Sequence, residues 1–171
     1  MTELEEILNQ NQTVFSGPLY TIKKKEYPPW KPSGFEGRYS GNGTSAYYFG
    51  DNPTTCWRER QNENADANPD DYELFSLMIN NGTFVDVGAV AGTQFVQPKN
   101  NGGWQPTQEL SNCLDNQNVL GFRYASQPSV QHGYSGTCFC IYQSSRELSE
   151  DDFQKLDIHK SLEILEKEKP R

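Results

Sequence analysis

The stretch Gly136-Thr137-Cys138-Phe139-Cys140-Ile141-Tyr142 is an almost unbroken apolar run, short and bounded by polar residues. Such a run reads as a central strand. A central strand needs neighbours, and the chain supplies them. Tyr47-Tyr48-Phe49 is a strand by aromatic content, and Leu19 to Ile22, Leu74 to Ile79 and Val119 to Tyr124 are further apolar runs. Asn80-Asn81-Gly82 reads as a turn leading into a strand over Thr83 to Val87.

Helical periodicity appears only between and outside these runs. Thr2 and Glu5 fit a capping box for a helix over 2–9, with Leu4, Ile7 and Leu8 as its stripe. Asp51 or Asn52 caps a helix with Pro53 in its first turn, carrying Cys56, Trp57 and Glu59 and fading near Gln61. A short helix is expected within 107–118. A C-terminal helix is expected over 149–166, opened by Ser149 and Asp152 with Leu148 and Phe153 as a staple. Residues 61–71 and 97–107 are polar or Gly/Pro/Asn-rich loops. The three prolines of Tyr27 to Gly34 exclude regular structure and leave a loop carrying aromatics, a wall for a cleft. The pattern is α+β in a single domain over 1–171, with its core at about 17–145.

Hydrophobic residues are 34%, yet nine Phe, nine Tyr and three Trp bury enough area for a folded core. The net charge of −8, from 15 Lys+Arg against 23 Asp+Glu, argues against nucleic acid and anionic lipid as partners. It leaves room for a small anion held by one arginine. No apolar run approaches the ~20 residues of a membrane span. The acidic N-terminus lacks the apolar core of a Sec signal, so action in the cytosol is expected, reached by synthesis there or by non-Sec delivery. Cys56, Cys113, Cys138 and Cys140 form no CxxC, and with His132 and His159 they make a poor zinc set. They read as reduced, buried cysteines, with Cys138 and Cys140 on one strand face.

Four polar residues stand in aromatic settings. Arg38, between the proline loop and the Gly41-Asn42-Gly43 turn, offers a planar fork suited to phosphate. Tyr48, if inward, stacks on a flat ring, and Tyr47 then points the other way. Glu59 follows on the next helix and can stabilise positive charge on a ribose or hold its hydroxyl; the alternative is an exposed glutamate paired with Arg58 or Arg60. Ser126 has no Gly-x-Ser-x-Gly elbow and no catalytic histidine, so it is a hydrogen-bonding residue or a strand-end serine rather than a nucleophile.

In this order the segments Gly37-Arg38-Tyr39, Ala46-Tyr47-Tyr48, Asp51 to Glu59, Gly121 to Ser126 and Cys138 to Tyr142 resemble the RES domain family, over roughly residues 17–145. Ser40-Gly41-Asn42-Gly43 and Gln127-Pro128 depart from its usual pattern. The resemblance implies an ADP-ribosyltransferase-like fold, a split, curved β-sheet with peripheral helices around an NAD cleft. It implies a toxin that breaks the nicotinamide–ribose bond of NAD by hydrolysis or phosphorolysis, or transfers ADP-ribose to a protein, and that an antitoxin or immunity protein neutralises. A non-catalytic binding module of the same fold is the alternative. NAD would be substrate, with no further cofactor and no metal, because the leaving pyridinium is already cationic. By the same resemblance Arg38, Tyr48, Glu59 and Ser126 are the catalytic set. Arg38 would hold the pyrophosphate, Tyr48 would stack on nicotinamide, Glu59 would stabilise the cationic sugar and orient water, and Ser126 would fix the ribose or carboxamide. Tyr39 and Arg123 would shape the substrate cleft.

Overall fold

A computed structural model of the chain describes residues 10–32, 45–86 and 119–163. The helices expected over 2–9 and 107–118, the segment of Arg38 and Tyr39, and Cys113 lie outside the described residues. Among the described residues six strands form one mixed sheet: β1 (Gln12–Lys24), β2 (Ala46–Gly50), β3 (Tyr72–Asp86), β4 (Gly121–Ala125), β5 (Thr137–Tyr142) and β6 (Phe153–Leu156). Among the described residues three helices of five residues or more accompany them: α1 (Pro53–Glu63), α2 (Gln127–Gln131) and α3 (Ile158–Leu162).

The sheet is built of two halves. In one, β3 pairs antiparallel with β1 along its whole length and with β6 over Leu74 to Leu77. In the other, β5 is central between β2 and β4, antiparallel to both. The halves meet through a short parallel pairing of β3 with β4 and a single contact of Tyr20 with Gly50 between β1 and β2. Those two joints curl the sheet into a ring, so its inward face is filled by side chains. Leu19, Tyr47, Phe49, Leu77, Ile79, Phe84, Phe139 and Ile141 form that core. The ring of Phe139 packs against Phe84 and Phe15 at 5.0 and 4.9 Å between centroids.

Alternation along the strands turns the other set outward: Tyr48 on β2, Phe122 and Tyr124 on β4, and Cys138, Cys140 and Tyr142 on β5. On the first half the outward face is covered by α1 and α3, where Ile22, Trp57, Tyr72, Leu74, Ile158 and Leu162 make a second cluster. No helix among the described residues is long and apolar enough to cross a membrane.

Two expectations are corrected. Asn80-Asn81-Gly82 is not a turn between strands but lies inside the 15-residue β3. Asn80 and Asn81 together oppose Ser16 of β1, a bulge that places Asn81 at φ 50°. The helix expected over 149–166 is broken into a 3-10 turn at Glu150–Asp152, strand β6 and the five-residue α3. The Ser149–Asp152 capping box forms, but Phe153 then packs against Phe49 and Phe75, and its backbone pairs with the open edge of β3.

Candidate active site

Helix α1 starts where the sequence places it. Asn52 is the N-cap, its side chain accepting from the Thr55 N–H at 2.9 Å, and Pro53 occupies the first turn without leaving a donor unused. The Thr55 hydroxyl donates to Asp51 at 2.7 Å. This start fixes the roll of the helix. Cys56 and Trp57 face the apolar cluster, and the Cys56 thiol donates to the Tyr20 carbonyl at 3.1 Å. Burial pushes that thiol up to about 12. Arg60 donates to the Ile22 carbonyl at 2.8 Å and pairs with Glu63, while the Arg58 guanidinium lies 3.9 Å from the centre of the Tyr134 ring.

Glu59, half-buried, reaches the outward face of β5, where its Oε1 accepts a hydrogen bond from Cys138 Sγ at 3.1 Å. Burial raises the Cys138 thiol well above its ordinary range, and the Glu59 charge raises it further. The sulfur therefore stays protonated and is a donor to the carboxylate. One residue-pair along, Cys140 sits opposite Tyr48 and is hydrogen-bonded by it; burial dominates there too and raises that thiol. Tyr48 is half-buried, and Tyr47 points inward, where its hydroxyl donates to the Trp30 carbonyl at 3.3 Å and accepts from the Leu148 N–H at 3.2 Å. Tyr47 thereby ties the proline-aromatic loop to the sheet.

Ser126 ends β4 and is fully buried. It is the N-cap of α2, with its Oγ accepting from the Ser129 N–H at 3.4 Å and donating to Ser129 Oγ at 3.1 Å. Its hydroxyl is also in hydrogen-bonding contact with Cys138. Tyr48, Glu59 and Ser126, from three separated segments, thus converge on two neighbouring cysteines of one strand. Gly50, paired with Cys138, makes room for this: a Cβ there would lie 2.8 Å from Cys56 Sγ and 3.3 Å from the Cys56 nitrogen. Its bare backbone lets α1 approach β5 closely enough for Glu59 to touch Cys138.

Arg123 is not brought to this face. It alternates with Phe122 and Tyr124, points to the inward side and lies 5.7 Å from the Phe139 ring centre. The group that sequence reasoning missed is Cys138, read there as a packing residue. No local sequence signal marks it, because its pairing with Gly50 on the face of Tyr48 is set by strand register.

A model of the RES domain matches residues 18–161, most of the chain. The chain belongs to the RES domain family. Its fold is that of a chain in the crystal structure of the M. tuberculosis MbcT–MbcA toxin–antitoxin complex, with a TM-score of 0.69. The two are 15% identical in sequence, over 94% of this chain and 95% of that one. No curated protein sequence gives a match. The RES match spans Arg38, Tyr48, Glu59 and Ser126 and includes β5, the strand that carries both cysteines.

Proposed function

We propose that this RES-domain protein is an NAD-consuming toxin that cleaves the nicotinamide–ribose bond, acting in the cytosol as a glycohydrolase or, with phosphate as acceptor, a phosphorylase. The observation that carries this reading is the Glu59 carboxylate, held half-buried against Cys138 on the sheet face that Tyr48 also occupies. A carboxylate in that setting stabilises a cation strongly, because little water screens it.

The bond between ribose C1′ and the pyridinium nitrogen breaks with its electron pair going to nitrogen, so nicotinamide leaves neutral. The sugar becomes oxocarbenium-like, and Glu59 stabilises that charge. Water oriented by Glu59 adds to C1′ and gives up a proton to solvent, leaving ADP-ribose; phosphate adding instead gives ADP-ribose-1″-phosphate. Tyr48 offers its ring to nicotinamide. Ser126 supports the floor of the site through Cys138 rather than from the surface, since it is fully buried. Arg38 is proposed to hold the pyrophosphate end, with Tyr39 helping to shape the cleft. The likeness to a toxin–antitoxin structure supports an antitoxin as protein partner.

Purified protein incubated with NAD tests this. Nicotinamide and ADP-ribose released together, and lost in Glu59→Ala, support hydrolysis. A requirement for phosphate with formation of ADP-ribose-1″-phosphate selects phosphorolysis, and label appearing on a protein selects ADP-ribose transfer. Undiminished turnover in Glu59→Ala sinks the site.

A further inference from the structure

We propose that Cys138 is a positioning residue for Glu59, its S–H holding the carboxylate in the orientation that faces the reacting sugar. The inference rests on the NAD-cleaving reading above. A glutamate side chain has three rotatable bonds, and a half-exposed one on a helix surface samples several rotamers. Glu59 is fixed from one side by a donor that cannot itself move. Cys138 sits on the central strand, paired with Gly50 on one side and Tyr124 on the other, and is buried. Its sulfur lies 3.1 Å from Glu59 Oε1. Ser126, itself tied to Ser129, lies within hydrogen-bonding reach of the sulfur.

A thiol suits this position. Being protonated, it donates without adding charge that would compete with the cationic sugar for Glu59. A lysine or arginine there would neutralise the carboxylate. Cys138 touches neither substrate nor reacting atoms; it acts through Glu59 alone.

The test uses the full chain and the variants Cys138→Ala, Cys138→Ser and Glu59→Gln. The infrared S–H stretching band lost in Cys138→Ser reports the contact without NAD. It should sit at low frequency in the native protein and move up in Glu59→Gln. In NAD cleavage, Cys138→Ala should lower kcat about 10-fold with KM nearly unchanged, the scale of one hydrogen bond to a charged group. Cys138→Ser, which keeps a donor, should recover most of that loss. An S–H band unmoved by Glu59→Gln overturns the contact. A kcat in Cys138→Ala equal to wild type, or an equal loss in Cys138→Ser and Cys138→Ala, overturns the positioning role. If the band moves but the native protein leaves NAD intact, the functional reading fails and the catalytic role with it, while the contact stands.

Discussion

Ser126→Ala removes one hydroxyl and little else. The backbone of Ser126 stays anchored, since its N–H donates to the Gly136 carbonyl at 2.9 Å and its carbonyl accepts from Val130 at 3.0 Å. What disappears is the cap of α2, the partner of the buried Ser129 hydroxyl and the contact with Cys138. Losing a serine N-cap destabilises by about 1 kcal/mol. Leaving a buried hydroxyl short of a partner adds about 1 kcal/mol more. The expected loss is about 2 kcal/mol, or a fall in Tm of about 4–8 °C for a chain of this size. Urea unfolding should show a lower midpoint at an unchanged slope, because the same surface is exposed. Ser129→Ala should show about half that loss, because its backbone N–H still donates to Ser126 Oγ, and the double variant less than the two combined, because they break one shared contact. A Ser126→Ala protein within about 0.5 kcal/mol of wild type would refute the reading of Ser126 as a buried cap and brace.

Gly50→Ala should destabilise by about 1–3 kcal/mol, by pressing a methyl into Cys56. It should also lower kcat for NAD cleavage, because α1 and Glu59 move away from β5; full activity at reduced stability would count against that geometry. Cys56→Ala probes pH dependence. The folded thiol keeps its proton to about 12 while an unfolded one loses it near 9.0, so its contribution is fully present below pH 9 and drains as pH rises. Between pH 8 and 10 the stability advantage of wild type over Cys56→Ala should therefore shrink by about 1.4 kcal/mol, and parallel pH curves in urea unfolding would contradict it. Arg123→Ala should leave KM for NAD within about 3-fold and lower stability by about 0.5–1 kcal/mol, the scale of a lost cation–π contact. A large rise in KM would place Arg123 in the substrate cleft after all.

Sequence pattern located the parts whose causes are local. The Asn52 cap with Pro53, the aromatic strand and the opposite facing of Tyr47 and Tyr48 follow from backbone stereochemistry that neighbours do not alter. Strand length was not legible, because it depends on partners. Asn80-Asn81-Gly82 carries turn chemistry, but β1 running alongside makes continuation cheaper. Ser16 Oγ donates to Asn81 Oδ1 at 3.1 Å and accepts from its N–H at 2.8 Å, satisfying the bulge locally. Likewise Ser149 caps a turn that cannot propagate, since Phe153 has an aromatic pocket to fill and Ile158 and Leu162 belong to a different cluster. Helix α2 was hidden by Pro128, which reads as a breaker. At the second position of a helix, proline's missing N–H is one that no intrahelical carbonyl would accept.

The candidate site owes its existence to register more than to any single residue. The row Tyr48–Cys140–Phe122 and the next row Gly50–Cys138–Tyr124 run across β2, β5 and β4 on the outward face. A shift of one residue in either pairing would turn both cysteines into the core and bring Phe139 out under Glu59. Phenylalanine offers a carboxylate no donor, and the half-buried charge would be left to water alone. The inward aromatic packing of Phe139 on Phe84 and Phe15 penalises that slip heavily. The energy that closes the ring is thus the same energy that keeps Cys138 under Glu59. Stability of the core and geometry of the site are set by one choice of register.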